Sequence, residues 1–177
     1  MGLARVKLVA ALLSLDRNAL DQALSEAEES FQLATESEDP IVMARARLAT
    51  CMIEDYRACT APKASPQVDA SIEHALACAE EAVTLASKTQ NARLQARAHT
   101  WRGLILLRAS ADNRREALAC YRRAKKLLVP PGASYAAEEL HRLSEALDPK
   151  QHSEQADVDR ALKPVAVAPA GARQKRL

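Results

Sequence analysis

The chain repeats itself, and that feature limits its folds more than any other. The stretch 19–30, ALDQALSEAEES, is echoed by 71–82, SIEHALACAEEA, so that Ala75 aligns with Ala23 at a shift of 52. A third copy, REALACYRRA at 115–124, places Ala117 a further 42 residues on. The match continues downstream of the first two copies. Leu33 and Ala34 align with Leu85 and Ala86, and Ala44, Arg45 and Ala46 with Ala96, Arg97 and Ala98. Units of this length cannot each bury an apolar face alone, and stacking them gives one continuous core.

Each copy reads as two helices. About one residue in five is alanine, glycine is limited to 4 and aromatics to 3%, a composition that suits helices and starves a sheet. The periodicity predicts helices over 3–16, 19–37, 40–56, 68–88, 91–109, 113–129 and 133–147. Asn18 suits a tight turn, Pro40 the first turn of a helix, and 130–132 (PPG) a stop. The longer first spacing is assigned to an inserted loop at 59–67, which carries Pro62 and Pro66. In the second helices, Ala23 and Ala27, Ala75 and Ala79, and Ala117 with Tyr121 recur one turn apart, small enough to let neighbouring helices approach. Residues 1–147 form the repeat domain. Residues 148–177 lose the periodicity and read as a disordered tail.

The net charge of +2, from 25 basic and 23 acidic residues, resides in that tail; residues 1–147 are neutral. Bulk attraction to nucleic acid or to an anionic membrane is therefore not expected. Arg114, Arg115, Arg122, Arg123, Lys125 and Lys126 form a local basic face, but no aromatics interleave it for base stacking. The apolar run 8–13 is too short to span a bilayer, which takes about 20 residues. Cys51, Cys59, Cys78 and Cys120 form no C-x-x-C pair, which suits a reducing compartment, hence a cytoplasmic or otherwise nuclear protein. His74 and Cys78 share a helix face but supply two ligands where structural zinc usually takes four, so no metal is expected.

The paired helices resemble tetratricopeptide repeats. The third copy carries the resemblance most clearly, with Arg102, Gly103 and Leu106 in its first helix, Glu116, Ala117, Tyr121 and Ala124 in its second, and Pro130 at its close. The first copy matches with Ala11, Leu20, Ala23, Ala27 and Ser30, the second with Cys51, Ala75, Ala79 and Ala82. Cys51 stands where the family has glycine, Glu54 where an aromatic is usual, and Arg102 where leucine is usual. The resemblance implies an all-α fold: a right-handed superhelix of three hairpins closed by a capping helix at 133–147. It also implies a concave groove lined by the first helices, which binds a peptide or a protein surface. Carried over by position, the groove comprises Arg5, Leu8, Leu12 and Leu15 from the first copy, Arg45, Leu48 and Met52 from the second, and Arg97, Thr100, Leu104 and Arg108 from the third. Arg5, Arg45 and Arg97 recur at one site, and three guanidinium groups among leucines would suit an acidic, hydrophobic peptide.

No phosphate-cradling G-x-x-x-x-G-K-[ST] or G-x-G-x-x-G occurs, nor G-x-S-x-G or H-E-x-x-H, so neither catalysis nor a cofactor is expected. His99 reads as a helix-surface or packing residue, and Trp101 as a core-packing one. The glutamate pairs 28–29, 80–81 and 138–139 read as solvated helix faces. The function expected is a non-catalytic scaffold or adaptor. The alternative is a self-associating or sensor segment of a larger regulator, in which helix one shows Leu3, Val6 and Val9 as an apolar patch.

Overall fold

A computed structural model describes residues 2–16, 19–62, 65–128 and 134–148. Its secondary structure is helical: α1 (Gly2–Asp16), α2 (Leu20–Glu36), α3 (Pro40–Thr60), α4 (Pro66–Ser87), α5 (Ala92–Ala109), a short 3-10 turn (Ala111–Asn113), α6 (Arg114–Leu127) and α7 (Ser134–Ala146). No strand occurs among the described residues. Residues 149–177 of the expected tail, the expected stop at 130–132 and the expected turn at Asn18 lie outside them.

Local chemistry starts the helices where it should. Asp39 caps α3: its Oδ1 accepts from the backbone N–H groups of Ile41 (3.1 Å) and Val42 (3.2 Å), while Pro40 occupies the first helical position. Asn91 caps α5 by accepting from the Leu94 N–H at 3.0 Å. Glu38 turns the chain between α2 and α3 in the left-handed region, at φ 51°.

The expected loop at 59–67 is corrected. Helix α3 runs on to Thr60, and α4 starts at Pro66 with Ser65 as its cap. Pro66 opens a helix rather than breaking one, and the extra length of this copy lies mainly in two longer helices.

Neighbours in sequence are neighbours in space. Helix α1 pairs with α2, α3 with α4 and α5 with α6, while α2 packs on α3 and α4 on α5. The first helices also touch one another, α1 with α3 and α3 with α5, and α7 continues this row against α5. Alanine at the contacts makes this possible: Ala23, Ala27, Ala75, Ala79, Ala82, Ala117 and Ala124 are all buried. Where α1 crosses α2, Ser30 Oγ donates to the Ala4 carbonyl at 2.8 Å, so even the polar contact is small. Gly103 serves the same end on α5. A Cβ there would lie 2.8 Å from the Leu143 side chain of α7 and 3.3 Å from Cys120 Cβ of α6. The main core joins α3, α4, α5, α6 and α7 around Leu48, Leu85, Leu94, Trp101, Ile105 and Leu143. A smaller cluster, Ala11, Ala23, Ala27, Ala49 and Ile53, attaches α1 and α2 to α3.

Candidate binding groove

The positions expected to line a groove belong to helices that do lie in one row, but they share no common environment. Arg5 is exposed, with a distant 3.7 Å approach to Asp39 Oδ2. Arg45 is exposed and makes no ion pair among the described residues. Leu8, Leu12 and Leu15 are half-buried against the Ala11 cluster. Leu48, Thr100 and Leu104 are corrected: all three are core residues, at most 2% exposed, and Thr100 Oγ1 is spent on the Ala96 carbonyl at 2.9 Å. Met52 is half-buried, with its Sδ 3.8 Å from Arg97 Nη2, so α3 and α5 meet at this point of the row.

The recurring arginines diverge at Arg97. Its Nε and Nη2 donate to both oxygens of Glu139 on α7, at 2.7–3.0 Å, in the bidentate geometry that gives strong pairs. Glu139 also accepts from Trp101 Nε1 at 3.0 Å. A second pair follows one step along the row, where Arg108 Nε lies 2.5 Å from Asp55 Oδ1. Burial pushes the Asp55 carboxyl above its ordinary range, and the charges of Arg108 and Arg142 pull against that shift. Burial likewise lowers the Arg142 guanidinium, which feels both Asp55 and Glu139. The row thus carries a polar seam of three arginines and two carboxylates from α3 through α5 to α7. The seam was not foreseen. Glu139, read as half of a solvated pair, is buried, as is Asp55. Arg97 and Arg108 already have carboxylate partners, so an acidic peptide would have to compete for them.

A second polar site lies beside α2. Asp21, Glu54, Arg57, Gln67, Ser71 and His74 line an open cleft of about 560 Å³ between α2, α3 and α4. His74 Nδ1 sits 3.0 Å from Glu54 Oε1, and Arg57 joins Glu54 at 3.8 Å while pairing with Asp21. His74 therefore reaches towards α3 rather than joining Cys78 as a ligand. Cys78 is buried, its thiol pushed up to about 11 chiefly by that burial. No group of three or more His, Cys, Asp or Glu side chains that could hold a metal occurs among the described residues. The outer face of the domain is laced by shared arginines. Arg47 joins Glu28 of α2 (2.8 Å) to Glu81 of α4 (2.6 Å) and stacks 3.4 Å over the Phe31 ring. Arg102 bridges Glu80 of α4 and Glu116 of α6. His99 has its protonation suppressed, first by burial and then by Arg123 and Arg102.

No family model, curated protein or solved structure matches the chain. No helix among the described residues is long and apolar enough to cross a membrane.

Proposed function

We propose that the domain is a right-handed helical-repeat scaffold of the tetratricopeptide type, which grips a polypeptide segment along its row of first helices. The observation that carries this reading is the row itself. Helices α1, α3 and α5 are in successive contact, so the helices that carry Arg5, Arg45 and Met52 follow one another in one row. Arg45 and Met52 are seven residues apart and share a face of α3. The recognition expected is mainly apolar, through Met52 and the half-buried Leu8 and Leu12. Arg45 and Arg5 then supply polarity, and the seam arginines supply rigidity rather than grip.

The test is a selection of peptides from a random displayed library on the immobilised 177-residue chain. Selected peptides should bind Arg45→Glu and Met52→Glu variants at least about tenfold more weakly, a loss of roughly 1.4 kcal/mol, with helicity by circular dichroism unchanged. Peptides that bind both variants as tightly as the parent chain would remove the groove from the account.

A further inference from the structure

Helix α1 is apolar on two opposite sides. One side, Ala4, Leu8, Ala11 and Leu15, faces the core. The other carries Leu3, Val6, Val9 and Leu13, exposed by 57, 61, 56 and 51%, and these are the large exposed hydrophobics found among the described residues. Spacings of three, three and four keep the four within about 120° of the helix surface, a stripe about 15 Å long. A helix that is apolar all round is normally a covered helix, and a contiguous patch of a few hundred Å² normally marks an interface. We propose that the stripe is the seam of a homodimer in which α1 of one copy lies parallel to α1 of the other about a twofold axis. The stripe shares no residue with the peptide groove; Arg5, which flanks it, is common to both.

Charge selects both the occupant and the direction. Helix α2 carries Asp21, Glu26, Glu28, Glu29 and Glu36 and no basic residue. Lys7, on the α2 side of the stripe, is bound to Glu29 at 2.8 Å. Glu36 lies seven residues beyond Glu29 and so shares its edge of α2. Arg5, two residues from Lys7 and hence about 200° around the helix, lies on the far side of the stripe, with its side chain 61% exposed. An antiparallel twofold pair would stack the two acidic α2 edges on each other. A parallel pair carries each α2 to the opposite side and brings its Glu29 and Glu36 edge to the partner's Arg5. The hairpin is thus complementary to itself, as a twofold interface requires. In the parallel register Val6 meets the other copy's Val6 and Leu13 its Leu13. The seam is small, at the low end of specific interfaces, so the dimer should be reversible, with a Kd of roughly 1–100 µM.

Sedimentation equilibrium of the 177-residue chain over that range should show a monomer–dimer equilibrium. The exposed-site variant Val6→Glu should raise Kd about 100-fold or more without loss of helicity, and Arg5→Glu should weaken the dimer in a way that Glu36→Arg in the same chain restores. Val6→Cys, on a Cys59→Ser background, should oxidise to a disulfide-linked dimer. A chain that stays monomeric at 100 µM, a dimer indifferent to Val6→Glu, or a cross-link that forms only between Val6→Cys and Val9→Cys chains, as antiparallel pairing requires, would each overturn the proposal.

Discussion

Asp55 and Glu54 are adjacent, both about 4% exposed, and they point at different neighbours: Glu54 at His74 of α4, Asp55 at Arg108 of α5. One residue is 100° of helix, enough to send two carboxylates into two interfaces. Their burial could not be read from the sequence, because an acidic pair on a helix has the same pattern whether solvent or a guanidinium faces it. What was legible was the apolar periodicity around them. Asp55 also has a consequence for pH. Its folded pKa lies above the ordinary 3.8, chiefly through burial. The fold therefore favours the neutral form. That contribution to stability is fully present below about 3.8 and is lost as the pH rises through the elevated folded value. Asp55→Asn fixes the neutral form. In urea melts from pH 7 down to pH 4, the difference between the parent chain and the Asn variant should move in favour of the parent as the pH falls. A difference that stays flat across the range would show that Asp55 keeps its ordinary pKa.

At the scale of elements, α7 depends on Glu139 and on a glycine. Gly103 lets Leu143 sit against α5, and Glu139 ties α7 to Arg97 and Trp101. Glu139→Ala would remove the carboxylate to which both the Arg97 guanidinium and the Trp101 indole N–H donate. Losing one partner of a buried pair costs about 3–5 kcal/mol. The expected loss here is nearer 2–3, because Arg97 keeps a third of its side chain in water. Trp101 is the sole tryptophan, so undocking of α7 should appear as a red shift of its emission. Glu139→Gln keeps an acceptor and should lose about 1 kcal/mol, with little spectral change. Equal losses in the two variants would mean that packing, not the pair, holds α7. The helices themselves were legible from caps, prolines and apolar spacing, with α5 expected at 91–109 and found at Ala92–Ala109. The extension of α3 and α4 was not, because Pro66 reads as a breaker until the Ser65 cap before it shows a helix start.

At the scale of the molecule, stability should be graded along the row. Each hairpin mainly contacts its neighbours, so an end helix has one neighbouring hairpin where a central one has two. The central core spans α3 to α7, while α1 rests on the smaller Ala11 cluster and presents its other apolar side to solvent. In a dilute monomer, α1 amides should therefore exchange at least about tenfold faster than those of α3 and α5, since local opening follows the apolar area each element buries. Association acts on this gradient selectively. A partner that binds only the folded α1 stabilises it by mass action, so raising the chain concentration through the dimer Kd should slow α1 exchange and leave α5 unchanged. Local fraying alone gives α1 rates that are independent of concentration. Hydrogen exchange by mass spectrometry at 1 and 100 µM separates the two. A concentration effect spread evenly over all the described helices would contradict both the graded row and the placement of the contact on α1.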